Sequence, residues 1–365
     1  MTRYRLGLVV GKFYPPHAGH HLLIDAAAAA CDRVIVVVAP SSGESIPLED
    51  RLTWLREAHP PHVKFVGRYD DHPVDYDDPL AWDRHVAVFR SAAGVDRVDA
   101  VFSSEAYGPE LARRFGAEAV TVDLGRDRVP VSGTAVRADP VAHWHLLGPG
   151  VRGRLARRVV VVGAESTGTT TIARALARHY RLRGGVWAAT RWVPEFGREL
   201  TVRKLEELRR ERPSAVIEDV VWGRADFVTV ADEQNAAEDR AARAGSPVLF
   251  GDTDALATTI WEERYLGSGS AAVRARVRRP DLYLLTHHDG VPFEDDGLRD
   301  GEAIRGWMTA RFEAELRAAG VPHVILTGGY AQRLRAAVCA TDDLLARGWH
   351  FAPPLSPAGH RPIGR

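Results

Sequence analysis

The 365-residue sequence is short of cysteine, methionine and lysine, has no excess charge of either sign, and has no long apolar run. Each shortage excludes something. The two cysteines, Cys31 and Cys339, lie far apart, which rules out a disulfide framework or a cysteine-rich metal centre and fits a reducing compartment. Of 48 basic residues only Lys12, Lys64 and Lys204 are lysines, and 48 acidic residues cancel the total, so nothing in the overall balance points to a polyanion such as nucleic acid. No apolar stretch approaches the roughly 18–20 residues that span a bilayer, so membrane insertion is not expected. The opening MTRYRLGLVVGKF is no signal peptide, because its apolar core is too short and is followed by charge and proline. The expectation is a soluble cytoplasmic protein. Internal repeats and low-complexity arrays are also missing.

What is present is a 45% hydrophobic chain long enough for two domains. Two segments share one pattern. In RLGLVVGKFYPPHAGHHLLIDAAAAA a β-branched run, Leu6 to Val10, meets a glycine-proline turn and then a helix former. In RRVVVVGAESTGTTTIARALARHY the run Val159 to Val162 meets a glycine loop, and a helix continues from about Thr169. Further apolar runs follow each unit: VIVVVAP, HVKFVG, VDAVFSS and AVTVDLG in the first half, GGVWAAT, PVLFGDTD, DLYLLT and HVILTGG in the second. Helical patterns such as LEDRLTWLREAHP and EAIRGWMTARFEAELRAAG separate them. The alternation predicts an α/β protein of two doubly wound parallel-sheet domains, residues 1–156 and 157–346. The join is expected in GPGVRGRLAR after a short helical stretch around Val141–Leu147, and the Pro/Gly-rich tail 347–365 is expected to be loose.

The first strand–loop–helix unit carries GKFYPPHAGH, with His17 and His20 three residues apart and so on one helix face. By itself such a pair is commonly an ordinary exposed one. Here it sits where backbone N–H groups at a helix start attract phosphate, with imidazole and ammonium groups as added donors. The stretch resembles the signature of the nucleotidyltransferase superfamily that includes the pyridine-nucleotide adenylyltransferases, through Gly11, Lys12, Phe13, Pro15, His17, Gly19 and His20. The superfamily's second signature, S-x-T-x-x-R, is matched late in the same domain by Ser132, Thr134 and Arg137. The resemblance implies a Rossmann-like domain in which His17 and His20 contact the phosphates of ATP and stabilise the transition state. It also implies that Lys12 is an added donor, that Ser132, Thr134 and Arg137 hold the β- and γ-phosphates, and that Gly11, Phe13 and Tyr14 contribute to the ATP site. Adenylyl transfer suits such residues: the attacking phosphate is already anionic, so alignment and charge stabilisation suffice without a general base. FSSEAYG, residues 102–108, resembles the segment that lines the nucleotide pocket in pyridine-nucleotide members. Trp82 and Tyr107 are candidates to stack on the nicotinamide ring, although ordinary packing accounts equally well for either alone.

The second unit contains GAESTGTT, the spacing of a phosphate-binding loop G-x-x-x-x-G-K-[ST] with Thr169 in the lysine position. The backbone N–H groups of such a loop survive that change, so Gly163, Glu165, Ser166, Thr167, Gly168, Thr169, Thr170 and Thr171 remain a candidate nucleotide loop. Thr170 keeps the hydroxyl for Mg²⁺, and Asp252, at the end of an apolar run, is the carboxylate for the same ion. Glu195, in VPEFGREL after the second strand, and Asp252 are the candidate carboxylates for a base, a role that the resemblance to nucleoside kinases assigns to Glu195, and Asp254 is a candidate substrate contact. DGLRDGEAIR reads as a mobile polar lid whose Arg299 or Arg305 replaces the missing lysine charge.

Taken together the chain resembles the NadR-type bifunctional proteins, a nicotinamide-nucleotide adenylyltransferase followed by a P-loop ribosylnicotinamide kinase, up to about residue 346. The resemblance implies two steps of NAD salvage with nicotinamide riboside, NMN and NAD as ligands and ATP and Mg²⁺ as cofactors. Some members carry an N-terminal helix-turn-helix. A first strand predicted near Tyr4 leaves no room for it, so operator binding is not implied. Two alternatives stay open at this level: a single adenylyltransferase whose second domain senses nucleotide, and a purely regulatory binder. Self-association is compatible with the sequence and not specified by it.

Overall fold

The structure, a computed structural model, describes residues 3–294 and 301–355. It divides into two units, Met1–Val151 with Trp349–Arg365, and Arg152–Gly348. The first unit begins β1 (Tyr4–Gly11), α1 (Ala18–Ala30), β2 (Cys31–Val38), α2 (Leu48–Ala58), β3 (Val63–Gly67) and α3 (Pro79–Ala93). It continues β4 (Ala100–Ser103), α4 (Gly108–Phe115), β5 (Glu118–Thr121) and α5 (Gly133–Ala138). The strands form one parallel sheet of order β3-β2-β1-β4-β5. Its apolar runs are continuous rather than alternating because both faces are covered. Val34, Val36 and Val38 enter one core with Leu23, Leu52 and Phe65, whereas Ile35 and Val37 enter the other with Val86, Val101 and Phe115. Burying each such side chain contributes on the order of 1.5–3 kcal/mol. The strand order reverses between β2 and β4 around β1. The loop after β1 therefore opens into the crevice where ligands bind in doubly wound sheets.

α6 (Pro149–Leu155) contains the division between the units. GPGVRGRLAR, where the join was expected, is itself helical, because proline starts the helix and Val151 and Leu155 are buried. The short stretch before it is a single 3-10 turn, Trp144–Leu146.

The second unit contains β6 (Arg157–Gly163), α7 (Thr169–Arg181), β7 (Arg191–Val193), α8 (Phe196–Glu211), α9 (Arg224–Ala244), β8 (Val248–Asp252) and α10 (Ala255–Leu266). After these come α11 (Ala271–Arg274), β9 (Leu282–Thr286), α12 (Arg305–Ala319), β10 (His323–Leu326) and α13 (Tyr330–Ala346). The sheet is again parallel, of order β10-β9-β6-β8-β7. Val159 and Val161 face one core and Val160 and Val162 the other. GGVWAAT does not form the second strand. Gly184 and Gly185 take positive φ, Gly185–Ala189 wind into a 3-10 turn, and the strand is the three residues that follow. No helix among the described residues is long and apolar enough to cross a membrane.

The tail also differs from expectation over its described part. Within the first unit, the Ala352 N–H donates to Ser45 Oγ at 2.5 Å, Tyr14 Oη lies 3.0 Å from the Ala352 carbonyl, and Phe351 meets the Tyr14 ring edge-on at 6.0 Å. One aromatic contact and main-chain hydrogen bonds hold a segment whose composition alone suggests a loose one.

Candidate functional site

The first site is built on the loop between β1 and α1. His17 is the N-cap residue of α1, with extended backbone, and is buried; His20 lies a turn further on. Their rings stack at 3.7 Å. Gly19 suits this approach, since a Cβ there would lie 3.2 Å from the His17 ring and press on it. Both ring nitrogens of His17 and Nδ1 of His20 are buried without a hydrogen-bond partner, which marks them as groups kept for a ligand. Burial, reinforced by neighbouring His21 and Arg126, pushes the His17 pKa down to about 3, and burial pushes His20 well below its usual range. Both rings are neutral in the ligand-free protein, each offering one N–H.

Cationic groups converge from other elements. Lys12 lies on the cavity wall, its Nζ donating to the Leu355 carbonyl at 2.6 Å and standing 3.8 Å from Glu44, and burial lowers its pKa. Behind it the fully buried Arg51 pairs with Glu44 at 2.6 Å and donates to the Lys12 carbonyl at 2.7 Å. The Tyr14 ring is flanked by the Arg51 and Arg137 guanidinium groups, 4.6 and 4.9 Å from its centroid. Arg137 donates to the Tyr14 carbonyl at 2.7 Å and to Thr134 Oγ1 at 3.2 Å, and Ser132 caps α5 by accepting from the Ala135 N–H. The two sequence signatures, more than a hundred residues apart, therefore meet through a hydrogen bond. Gly11, Lys12, Phe13, Tyr14, His20, Ser132, Thr134 and Arg137 line one cavity of about 400 Å³ with Trp82 and Tyr107. There Trp82 Nε1 donates to the Tyr76 carbonyl, and Tyr76 stacks on Tyr107 at 5.8 Å. His17 faces an adjoining smaller cavity with His20 and Arg126.

The second site is the loop from β6 to α7. Ser166 and Gly168 have φ of 56° and 88°, the left-handed turns that aim successive N–H groups inward. Gly163 must be glycine, because a Cβ would come within 2.3 Å of Thr286 Oγ1. Thr170 Oγ1 donates to Asp252 Oδ2. Asp252 is buried at the end of β8, its pKa raised by that burial, with Oδ1 lacking a partner. A hydroxyl and an orphaned carboxylate oxygen are the hard donors Mg²⁺ takes, so these residues fit that ion. The next residue, Thr253, holds φ at 73°, a costly conformation for a β-branched side chain that here faces the cavity.

One wall of this cavity is aromatic. Trp222, Phe227, Trp261 and Tyr265 line it together with Glu195, Arg198 and the loop residues Glu165, Ser166, Thr169 and Thr170. Trp222 lies 5.2 Å from Phe227 and stacks on Tyr265 at 5.7 Å. Gln234, fully buried, accepts from the Phe196 N–H at 3.0 Å and reaches the Thr253 carbonyl at 3.4 Å, tying the loops after β7 and β8. On the other side of the loop a second cavity is lined by Ser166–Ile172, Val291, Gly328, Gly329, Tyr330 and Arg333.

Several expected residues lie elsewhere or act differently. Asp254 does not line the cavity. It is buried, caps α10 through the Ala257 N–H at 3.0 Å and accepts from Tyr283 Oη at 2.6 Å. Thr167 spends its hydroxyl on the Ala164 carbonyl and Thr286, each at 2.7 Å. The Glu165 carboxylate pairs with Arg264 at 3.0 Å. Arg305 is no mobile lid residue: it starts α12, is buried, and donates to carbonyls of Val291, Ser166 and His288. Arg299 lies outside the described residues. Sequence reading missed Arg333, which is buried and donates to the carbonyls of Thr167, His287 and Gly328. It also missed Arg51, Arg198, Gln234 and the aromatic wall. The Trp261–Tyr265 spacing on α10 was a signal for part of that wall.

The halves match separate families. Residues 8–138 match the cytidylyltransferase-like family and residues 158–333 match an AAA domain. Along the chain, the trifunctional NAD biosynthesis/regulator protein NadR of Salmonella typhimurium is 25% identical over 313 residues, 80% of this chain and 71% of the relative. The protein of the same name from Escherichia coli is 26% identical over 316 residues, with the same shares. Among solved structures, NadR protein in complex with NR has a TM-score of 0.71 at 23% identity, covering 96% of this chain and 98% of that one. NadR protein in complex with NAD and AMP-PNP has a TM-score of 0.68 at 23% identity, with the same coverage. With a cytidylyltransferase-like half followed by an AAA-type half, the chain is similar to the NadR proteins along four-fifths of its length.

Proposed function

We propose that this protein performs two consecutive steps of NAD salvage. The second unit phosphorylates nicotinamide riboside with ATP to give NMN, and the first unit transfers the adenylyl group of ATP to NMN, giving NAD and pyrophosphate. The observation that carries this reading is that each unit pairs a phosphate-binding loop with an aromatic wall in one cavity. In the first, Lys12 and His20 share a cavity with Trp82 and Tyr107; in the second, Thr169 and Thr170 share one with Trp222, Phe227, Trp261 and Tyr265. NMN ends in a charged phosphate and a flat pyridine ring, and nicotinamide riboside presents the same ring with a ribose hydroxyl that meets the ATP phosphates on the loop.

In the first unit the NMN phosphate attacks the α-phosphorus of ATP. The neutral imidazoles of His17 and His20 donate N–H groups to oxygens on which charge develops, and Lys12 and Arg137 add positive charge, Lys12 exchanging the Leu355 carbonyl for phosphate. Mg²⁺ accompanies the nucleotide. In the second unit the loop amides hold the β- and γ-phosphates, Thr170 and Asp252 would hold Mg²⁺, and the Glu195 carboxylate takes the proton from the attacking ribose hydroxyl. Mg²⁺ supplies charge neutralisation on the transferring phosphoryl group. With Thr169 in the lysine position, positive charge reaches this loop from Arg305 and Arg333, whose guanidinium groups already bond the Ser166 and Thr167 carbonyls. The solved NadR proteins hold NR, NAD and AMP-PNP, the same ligand classes.

The test is separation of the activities. His20→Ala is expected to leave NMN accumulating from nicotinamide riboside. Glu195→Gln is expected to abolish that step while NAD still forms from supplied NMN. Loss of both activities in both variants contradicts the assignment.

A further inference from the structure

A third cluster of chemically active side chains lies on the wall of the first unit's cavity and has no part in the chemistry above. Asp70, in the loop after β3, is buried and anchored by its N–H to the Pro40 carbonyl at 2.8 Å. His72 Nδ1 lies 2.9 Å from Asp70 Oδ1, and the His72 N–H donates to the same oxygen at 3.2 Å. His85, on α3 one turn after Trp82, places Nδ1 2.6 Å from Asp70 Oδ2 and Nε2 3.1 Å from the Pro73 carbonyl. One donor atom from each of the three residues falls within 4.8 Å of the others, and all three residues border the cavity.

The bonding pattern at His85 constrains what sits between these groups. The Pro73 carbonyl can only accept, so His85 Nε2 carries the hydrogen. In a neutral imidazole Nδ1 then presents a lone pair, and the Asp70 carboxylate opposite it also only accepts. Two acceptors 2.6 Å apart need a positive partner between them, either a second proton on the ring or a metal ion. An imidazole whose far nitrogen is fixed on a backbone carbonyl is the arrangement that orients metal-ligating histidines. A second imidazole nitrogen, that of His72, converges on the same carboxylate.

We propose that Asp70, His72 and His85 form a binding site for a borderline divalent transition-metal ion of the zinc class, with its remaining coordination positions open to the cavity. Two imidazoles and one carboxylate suit Zn²⁺ or Co²⁺, with ligand distances of about 2.0–2.2 Å reached by small side-chain rotations. Mg²⁺ takes oxygen ligands and does not compete for such a set. The site therefore differs from the Mg²⁺ that accompanies ATP. It joins the loop after β3 to α3, and the bound ion would face the same space as Lys12 and Trp82. The inference rests on coordination chemistry and does not depend on which mononucleotide occupies the cavity. The other His/Asp group, His287, His288 and Asp289, lies on a turn with Asp289 largely exposed, and serves as the internal control.

The test is titration of the chelator-treated full chain with Co²⁺, read by its visible d–d absorption and by metal analysis after gel filtration. The expected result is one tightly held equivalent, displaced by Zn²⁺, unaffected by excess Mg²⁺, and retained in His287→Gln. Affinity should fall more than tenfold in both His85→Gln and His72→Gln. His72 is partly exposed, so its variant keeps the test valid if His85→Gln fails to fold. Equal Co²⁺ binding by wild type and His72→Gln, or no retained Co²⁺ in the wild type, overturns the proposal. In the second case the partner between His85 and Asp70 is a proton.

Discussion

Thr169 stands where a phosphate-binding loop ordinarily carries lysine, and the neighbouring Thr170 hydroxyl donates to Asp252. If Arg305 and Arg333 already charge the loop, Thr169→Lys should change kinase turnover by less than about tenfold, in keeping with one redundant donor. A rise of several orders of magnitude, measured as NMN formed from nicotinamide riboside, would show that the charge is missing. Arg333→Met removes a buried donor to the Thr167, His287 and Gly328 carbonyls and should cost kinase activity while sparing adenylyl transfer. In the first unit His17→Ala should lower NAD formation from NMN by about 10²–10³-fold, the effect of deleting one preorganised donor to developing charge. NMN formation from the riboside should be unaffected in that variant.

Loops, strands and the tail show what local pattern encodes. The β1 and β6 runs were legible because each is a continuous apolar stretch followed by a turn signal, and the loops after them carry their spacing in consecutive residues. GGVWAAT misled because apolar composition was read as extension, whereas the positive φ of two adjacent glycines turns the chain. The tail was illegible for a different reason. Its contacts are to Tyr14, Ser45 and Lys12, hundreds of residues away, and no local period announces them. The Tyr14 hydroxyl bridges Ser45 and Ala352, so Tyr14→Phe should loosen the segment by about 1 kcal/mol, roughly a fivefold increase in its open population. Limited proteolysis between Trp349 and Leu355 measures that directly; unchanged cleavage would mean the tail is held by other contacts.

On the scale of the whole molecule, two doubly wound sheets and the two strand–loop–helix turns that open them could be read from one sequence, whereas the walls of the cavities could not. Trp222 and Trp261, or Arg333 and Thr167, come together only through the crossover order of the sheet, and single-sequence periodicity does not encode which loops become neighbours. The buried imidazoles also set how the molecule responds to acid. The pKa of His17 is pushed down to about 3 and that of His21 to about 4, both chiefly by burial, from the ordinary 6.5. The unfolded chain takes up protons at these sites as the pH falls below about 6.5, and the folded chain does not. Their contribution is therefore complete above 6.5 and is lost progressively as pH falls toward 4, by on the order of 2–3 kcal/mol per group at pH 4.5. Thermal denaturation of ligand-free protein across that range should show a falling Tm, and the fall should shrink in His21→Gln.

The central claim, that both sites turn over in one chain, is tested most directly by chromatographic analysis of products. The purified protein is incubated with ATP and Mg²⁺, with nicotinamide riboside in one tube and NMN in a second. The account predicts NAD in both, with NMN as the intermediate in the first. NAD from NMN alone would contradict it, leaving the first unit as the enzyme and the Thr169 loop as a nucleotide-binding site without phosphoryl transfer.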